Sequence, residues 1–367
     1  MDDFHRIAMI GMGLIGGSLA LALKHFGCQS EIIGSDKNKE TLEEAIRLGA
    51  IDFATVDSKE AVLDADLVII AVSVGQYEEI FQEISPFLKK GALVTDVESV
   101  KRHIIELASR YLPRHVEFLG GHPMAGSEKE GIHAASPYLY ENAYYFLTPT
   151  DQNSDAACLK LESLIRSLSA YPIRIDAWKH DQIVAKISHI PHLSAVALVN
   201  LLEQSRGLSY LPFVGGGFRD TTRIASGSPY LWRDILLFNK KEIIHEIRLM
   251  QNILEEFCFL LEEEKDQEIL QILKQAKEIR DQIPLRFKDG IPPIYEIIVT
   301  AADRPGTLAE ITRILGEKGV NIKEIEILHS REYQEGAIRL GFESKEEEKK
   351  ANSLLAQAGY FVANAGK

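Results

Sequence analysis

The motif GMGLIG at residues 11–16 constrains the fold of this chain more than any other stretch of its sequence. It directly follows the apolar run RIAMI and opens a helical segment that extends to Phe26. The next apolar run, EIIGSD, ends on Asp36, twenty residues after Gly16. A strand, a glycine turn, a helix, a second strand and an acid in this order predict a dinucleotide-binding βαβ unit.

Each glycine of the motif has a separate role in such a unit. Gly11 allows the tight turn, Gly13 lets the backbone approach a pyrophosphate, and Gly16 permits close packing of helix on strand. The start of the helix adds free N–H groups for the phosphates. The predicted cofactor-binding residues are Gly11, Gly13, Leu14, Ile15, Gly16, Asp36 and Ser73.

Asp36 bears on the choice of cofactor. A carboxylate at the end of the second strand binds ribose hydroxyls and repels a 2′-phosphate, so the sequence favours NAD over NADP. Lys37 and Lys39 stand close to it in the sequence and leave NADP open as the alternative.

Strand and helix signals divide the chain into three parts. They alternate from residue 5 to about 176, which predicts an α/β fold with a mostly parallel sheet and helices on both faces. Only helical periodicity follows, so we expect an all-helical domain that pairs with a second subunit, a monomeric bundle being the alternative. A βαββαβ order near the end predicts a ferredoxin-like domain. The predicted domains are 1–176 (Rossmann-like, NAD-binding), 177–282 (helical, substrate-binding and dimerising), the linker 283–293 and 294–367 (ferredoxin-like).

Charge and cysteine usage exclude several classes of partner. The formal net charge of −13 argues against nucleic acid as the main partner. No apolar run approaches the ~20 residues of a membrane helix, so we expect no membrane. The three cysteines lie far apart without CxxC spacing, which favours free thiols in a reducing cytoplasm.

Polar residues follow the predicted strands at one edge of the sheet, among them Ser73, Ser99 and His122. In an open parallel sheet, ligands bind outside the carboxyl ends of the strands, so these side chains should meet beside the glycine turn. A neutral histidine can take the proton of an alcohol while a hydride leaves its carbon, which makes His122 the candidate base. The alternative is a histidine that only fills a turn.

Two serines near this edge each have two interpretations. Ser99 can orient the imidazole of His122, or it can cap the helix that begins after it. Ser127 forms with Glu130 the S-x-x-E pattern of a capping box, and we favour capping as its main role.

The first helical segment carries the sequence His189-Ile-Pro191-His192. A proline inside a helix should bend it, and two histidines at a bend suggest a site. No carboxylate at matching spacing completes a metal-binding set, so we expect no metal.

The segment 214–235 combines three glycines with three arginines. Glycines allow close approach of a ligand or another subunit, and an arginine beside them suits a carboxylate. Arg223 is the candidate clamp, while Arg219 and Arg233 can equally form surface salt bridges.

Taken together, these motifs resemble the prephenate dehydrogenase family. The sequences GMGLIGGS, TDVESVK, GGHPMAGSE, SHIPH, GGGFRDTTRIA and LWRD occur in the family's order between residue 5 and about 280. The tail is similar to an ACT domain, an amino-acid-binding module, through DRPGTLAEIT at 303–312 and GVNI at 319–322.

The resemblance implies NAD-dependent oxidative decarboxylation of prephenate to 4-hydroxyphenylpyruvate in tyrosine biosynthesis. His122 would accept the proton of the ring hydroxyl, and Ser99 would contact that hydroxyl and hold His122. The implied substrate-binding residues are Arg223, His192, Gly216, Trp232, Ser127, Asp181 and Asp220. Gly216 and Trp232 would reach the site from the partner subunit, and the two aspartates would order it. Ser73 departs from the proline that is frequent in the family.

The same resemblance implies feedback inhibition by L-tyrosine in a homodimer. The implied regulatory residues are Asp303, Arg304, Pro305, Gly306, Thr307, Asn321 and Ile322. The alternative for the tail is a pure dimerisation module. For the whole chain, the alternatives are an arogenate dehydrogenase and a non-catalytic dimer that senses NAD and an amino acid.

Overall fold

The computed structural model describes residues 3–127, 129–204, 207–283, 295–302, 304–328 and 336–364. The chain divides into two compact units, residues 1–258 and 259–367, and each is described by itself. Apart from Ile283, the predicted linker 283–293 lies outside the described residues.

The first unit contains an eight-stranded sheet and its covering helices. Its strands are β1 (Arg6–Ile10), β2 (Glu31–Ser35), β3 (Phe53–Thr55), β4 (Leu67–Ile70), β5 (Leu93–Asp96), β6 (Glu117–Pro123), β7 (Tyr144–Thr148) and β8 (Tyr171–Arg174). The helices between them are α1 (Leu14–His25), α2 (Lys39–Arg47), α3 (Ser58–Val62), α4 (Tyr77–Ile84), α5 (Arg102–Tyr111) and α6 (Asp155–Ser167). The strand order is β3-β2-β1-β4-β5-β6-β7-β8, and only the β6–β7 pair is antiparallel among these neighbours.

Strand β1 shows why this sheet is covered on both faces. Successive strand residues point to opposite faces, and here Ile7 and Met9 join one hydrophobic core while Ala8 and Ile10 join the other. All four are buried, as expected for a central parallel strand. The α/β prediction is confirmed; β3 was missed because it has only three residues, two of them exposed, and gives no apolar run.

Helices form the rest of the first unit. They are α7 (Ala177–Val184), α8 (Ile190–Gln204), α9 (Gly216–Thr222), α10 (Pro229–Phe238) and α11 (Lys240–Glu262). A π-helical turn, Ala185–His189, joins α7 to α8. This wide turn lies just before Pro191, which has no N–H to donate, and π-turns are frequent at functional sites.

The helical segment Ala177–Leu202 is apolar over a longer stretch than the sequence analysis expected of any part of the chain. It is 26 residues long and apolar enough, by length and composition alone, to cross a membrane. Core helices of soluble proteins pass the same test. This one carries His180, Asp181 and His189, which are buried against the rest of the first unit.

The second unit begins with the end of α11, residues 259–262, followed by α12 (Asp266–Gln282) and a βαββαβ domain. Its elements are β9 (Tyr295–Thr300), α13 (Thr307–Gly316), β10 (Glu324–Leu328), β11 (Ala337–Phe342), α14 (Lys345–Gln357) and β12 (Phe361–Asn364). The antiparallel sheet has the order β10-β11-β9-β12. Residues such as Val299, Leu315 and Phe342 form its separate core. The predicted ferredoxin-like order is confirmed.

Candidate active site

Two neighbouring cavities open at the carboxyl ends of the parallel strands, as the strand order requires. The larger has a volume of about 560 Å³ and the smaller about 300 Å³. Both are lined by Gly13, Ala71, Val72 and Ser73. Of the predicted site residues, the larger cavity is lined by Gly13, Leu14, Ile15, Ser73, Ser99, His122, Ser127 and Trp232. The smaller is lined by Gly11, Gly13, Asp36 and Ser73.

The glycine turn fits a dinucleotide. Gly11 has φ +92°, and a Cβ there would lie 2.4 Å from the Ala71 carbonyl oxygen. A Cβ on Gly16 would lie 2.0 Å from the Gly11 oxygen, whereas a Cβ on Gly13 would meet nothing within 4 Å. Gly11 and Gly16 are therefore needed for packing, and Gly13 leaves the backbone open to a pyrophosphate.

Asp36 lies at the end of β2 in the smaller cavity. Its Oδ2 accepts a hydrogen bond from the Met12 backbone N–H at 2.9 Å, and its Oδ1 accepts one from Asn38 N–H at 2.9 Å. The carboxylate is thus fixed beside the turn, where it can accept hydrogen bonds from ribose hydroxyls. Lys37 lines the same cavity.

His122 stands near the end of β6 and is buried, although it lines the larger cavity. Its Nδ1 lies 2.8 Å from Nε2 of His180, and Nδ1 of His180 lies 2.9 Å from Oδ1 of Asp181. Burial, together with the positive charge of Lys101, holds the pKa of His122 well below its usual value. The imidazole is therefore neutral near pH 7 and can accept a proton.

Asp181 anchors this row of side chains from behind. Its carboxylate accepts hydrogen bonds from the backbone amides of Lys101 (2.9 Å) and Arg102 (3.1 Å), and from Arg102 Nε (3.1 Å). Burial raises the pKa of Asp181, but the hydrogen bonds from His180 and these amides outweigh burial and lower it. Arg102 also donates to Glu242 at 2.9 Å, so α5, α7 and α11 are joined through the guanidinium of Arg102.

The prediction that Ser99 holds His122 is not met, because His122 is held by His180. The Ser99 hydroxyl is buried and has no partner among the residues that the structure describes. Its alternative role as a helix cap is wrong too, since α5 begins at Arg102 with Lys101 in the cap position. Ser99 lines the larger cavity, so its hydroxyl remains for a ligand.

The capping role predicted for Ser127 is also wrong. No α-helix begins among the described residues 129–143; a short 3₁₀ turn begins at Ile132, after Gly131 with φ +79°. The Ser127 hydroxyl instead accepts a hydrogen bond from Lys129 N–H at 3.2 Å, which closes a local turn in the cavity wall.

The helical wall of the larger cavity includes His189 and Trp232, whereas the predicted substrate contact His192 is not among the described lining residues. The ring of His192 stacks on Trp232 at 3.5 Å with an angle of 12° between the planes. His192 is buried, and neither ring nitrogen has a partner among the described residues. Burial lowers the pKa of His189 to about 4, and this ring contacts Asn239 at 3.3 Å. Trp232 lines the cavity of its own chain, in contrast to the expected approach from the partner.

The residues predicted on α9 and at the start of the 3₁₀ turn Arg223–Ser226 after it are not brought to this cavity within one chain. Gly216, Asp220 and Arg223 are exposed, and they are not among the described residues that line it. Of the two alternative arginines, Arg233 pairs with Asp234 at 2.6 Å.

Two buried residues of the site were missed from the sequence. His180 directly precedes the predicted Asp181, but no sequence pattern links it to His122, which lies fifty-eight positions away. Glu98 lines the larger cavity, and burial raises its pKa to about 7. Its position directly before Ser99 was the available signal.

A separate cavity of about 390 Å³ lies in the βαββαβ domain. It is lined by the predicted regulatory residues Arg304, Pro305, Gly306 and Thr307. Gly306 has φ +94°, and the Thr307 hydroxyl donates to the Ala302 carbonyl at 2.8 Å. Asp303 lies outside the described residues. Asn321 is exposed and Ile322 packs against the domain core, and neither is among the described lining residues.

Family comparisons cover most of the chain. The nucleotide-binding domain of prephenate dehydrogenase matches residues 19–173, the dimerization domain of prephenate dehydrogenase matches 176–275, and the ACT domain matches 295–352. These matches confirm the resemblances that the motifs suggested.

Individual relatives give the same result. The chain is 38% identical over 358 residues to a prephenate dehydrogenase of Bacillus subtilis (strain 168), and this alignment covers 96% of each protein. A crystal structure of prephenate dehydrogenase from A. aeolicus, in complex with hydroxyphenyl propionate and NAD+, is 32% identical with a TM-score of 0.71 over 76% of this chain and 98% of that one. Synechocystis arogenate dehydrogenase is 29% identical with a TM-score of 0.66, over 76% and 100% of the two chains. Because it aligns along 96% of its length with such a relative, the chain belongs to the prephenate dehydrogenase family of NAD-dependent oxidoreductases.

Proposed function

We propose that this chain catalyses the NAD-dependent oxidative decarboxylation of prephenate to 4-hydroxyphenylpyruvate and CO2. The observation that carries the proposal is a neutral, buried His122 in a cavity that shares its glycine turn with a dinucleotide cleft. Bound NAD supplies the acceptor for the hydride that leaves the carbinol carbon. The relative from Bacillus subtilis bears the corresponding name.

The residues of the chain provide binding and proton transfer. The backbone at Gly13 and the carboxylate of Asp36 hold the cofactor. His122 takes the proton of the ring hydroxyl as the carbinol carbon is oxidised, and Ser99 hydrogen-bonds that hydroxyl. Departure of the ring carboxylate as CO2 leaves its bonding electrons in the ring, which becomes aromatic, and the proton returns from His122 to the phenolic oxygen.

Arogenate is the second candidate substrate, because the Synechocystis arogenate dehydrogenase is a structural neighbour of similar coverage. Arogenate carries an amino group where prephenate has a keto group. Such an ammonium group would need a carboxylate partner, and Glu98 and Glu130 line the larger cavity.

One assay tests these alternatives. The protein is mixed with NAD and prephenate, and separately with arogenate, while the absorbance of NADH is followed. We expect a signal with prephenate. A signal with arogenate alone makes the chain an arogenate dehydrogenase, and no signal with either supports a non-catalytic sensor. Replacing NAD by NADP tests the role assigned to Asp36.

We further propose that the chain works as a cytoplasmic homodimer with domains 1–176, 177–282 and 294–367 joined by the linker 283–293. The helical segment carries large exposed apolar side chains, including Phe213 (82% exposed) and Tyr230 (76%). Such a surface is typical of a subunit interface. Arg223, Gly216 and Asp220 would then complete the cavity of the partner. Light scattering in solution measures the subunit number.

We also propose that L-tyrosine binds the cavity of the ACT domain and inhibits the enzyme. Support comes from the cavity beside Arg304–Thr307, whose volume of about 390 Å³ is ample for an amino acid. Inhibition requires that tyrosine bind the inactive state better than the active one. Rates measured with and without tyrosine test the proposal, and unchanged rates would leave the domain as a dimerisation module.

A further inference from the structure

We propose that His180 is a positioning residue that fixes His122 in the tautomer required of a base, with its proton on Nδ1 and its lone pair on Nε2. The proposal deepens the function proposed above and rests on His122 as the proton acceptor. It follows from the unbroken row of side chains Asp181–His180–His122, whose two contacts measure 2.9 and 2.8 Å.

Of the three side chains in the row, Asp181 has the most firmly fixed protonation state. Its carboxylate receives hydrogen bonds from two backbone amides and from Arg102 Nε, and its pKa is lowered despite burial. An ionised carboxylate can only accept hydrogen bonds. Nδ1 of His180, 2.9 Å from Oδ1, must therefore carry a proton.

The state of His180 follows from that proton. The ring is fully buried, and burial lowers its pKa even with Asp181 beside it. A neutral imidazole with a proton on Nδ1 has an acceptor at Nε2. This acceptor lies 2.8 Å from Nδ1 of His122, so Nδ1 of His122 must be the donor.

The proton on Nδ1 of His122 determines the state of its other ring nitrogen, Nε2. With its single proton on Nδ1, neutral His122 has its lone pair on Nε2, where it can accept the proton of a substrate. After proton uptake, His122 is a cation that still donates from Nδ1 to His180. The Asp181 carboxylate at the end of the row then stabilises that charge.

Packing supports this role for His180. Its ring meets Phe146 edge-on at a centroid distance of 5.5 Å, and it meets His122 at 5.0 Å in a similar geometry. Ser99, the residue expected to hold His122, has a hydroxyl without a described partner. His180 is thus the side chain that constrains the orientation of His122 through a measured hydrogen bond.

Two substitutions separate the hydrogen bond from packing. His180→Phe fills the space but removes the acceptor, while the side-chain carbonyl of His180→Gln can still accept from Nδ1 of His122. We expect His180→Phe to lower kcat by roughly 10²-fold with NAD affinity unchanged, and His180→Gln to retain at least about tenfold more activity than His180→Phe. The control is His103→Phe, at a half-buried histidine that stacks on Phe238 away from the cavity.

The tautomer itself is measured on the free enzyme by ¹⁵N NMR with labelled histidine. We expect the His122 proton on Nδ1 in the wild type and a shift toward the Nε2–H form in His180→Phe. The acid limb of kcat/KM should also move to lower pH in His180→Phe, because the cationic form of His122 loses its acceptor.

Two results would overturn the proposal: a wild-type His122 protonated on Nε2, or equal activities of the two His180 variants. The NMR measurement needs no substrate. A wild-type enzyme that is inactive on both prephenate and arogenate would therefore refute the proposed function without deciding the tautomer. If His180→Phe does not fold, the wild-type spectrum and His180→Gln still test the inference.

Discussion

The cavity of the first unit and the cavity of the ACT domain differ in how their polar groups are held. In the first, the cavity wall includes buried Glu98 and His122, and His122 is tied through His180 to Asp181. Of the described residues that line the second, Thr307 alone is a buried polar residue, and its hydroxyl donates to a backbone carbonyl. The first cavity has charge and proton positions fixed before any ligand arrives, which suits chemistry. The second offers space and backbone groups, which suits recognition.

The largest expected effect comes from removing the base of the first cavity. His122→Asn should lower kcat by ~10²–10⁴-fold while NAD binding remains intact, because an amide cannot accept the proton. Steady-state rates and a fluorescence titration with NAD measure the two properties. Turnover close to that of the wild type would mean that His122 only fills a turn and that the preorganised row serves stability.

Glu98 should make the stability of the protein depend on pH, and no described residue that lines the ACT cavity has a comparable buried carboxyl group. Its pKa is about 7 in the folded protein because of burial, against 4.5 for an ordinary glutamate. The folded state therefore binds the proton more tightly, and this contribution to stability is present below pH 4.5 and is lost as the pH rises to about 7. A shift of this size corresponds to about 3 kcal/mol.

The measurement is the free energy of unfolding at pH 4.5 and pH 8 for the wild type and Glu98→Gln. We expect the variant to gain up to about 3 kcal/mol relative to the wild type between these two pH values, because the glutamine does not ionise. Glu263→Gln, at an exposed position, is the matched control. An equal pH response of wild type and Glu98→Gln would show that Glu98 is hydrated in solution.

Arg223 tests whether one chain is enough to build the first cavity. It is exposed on its own chain and is not among the described lining residues, yet the family resemblance assigns it to a substrate carboxylate. We expect Arg223→Ala to raise KM for prephenate by about tenfold to a hundredfold, because a charge-assisted hydrogen bond contributes about 1.5–3 kcal/mol. Arg219→Ala, at an exposed position of α9 four residues earlier, is the control. A large loss of kcat at unchanged KM would contradict a role in binding.

The sequence predicted those parts of the site that depend on local order. The spacing of Gly11, Gly16 and Asp36 follows from a single βαβ unit, and His122 could be placed because parallel strands end at one edge. The contact of His122 with His180 joins distant segments across the tertiary structure, and no periodic pattern reports such a pair.

Some local motifs gave wrong predictions because the structure around them differs from the structure in which the motif normally occurs. Ser127-x-x-Glu130 has the spacing of a capping box, but Gly131 at φ +79° leads into a short 3₁₀ turn, and no α-helix begins among the described residues 129–143. The assignment of Arg223 depends on a second subunit, whose position a single sequence does not contain. The ACT domain was recognisable because its βαββαβ order and its DRPGT turn are both local in sequence.

The smallest expected effect comes from blocking the ACT cavity, which should abolish inhibition by tyrosine and leave the catalytic activity unchanged. Ala302 lines this cavity and is itself exposed, so Ala302→Phe can fill the space at little cost to the core. The matched control is Ala309→Phe, on an exposed position of α13 that is not among the described lining residues. We expect the ratio of rates without and with tyrosine to fall to about one in Ala302→Phe and to stay at the wild-type value in Ala309→Phe. If both variants keep the wild-type ratio, tyrosine competes in the first cavity, whose preorganised groups would then serve recognition as well as chemistry.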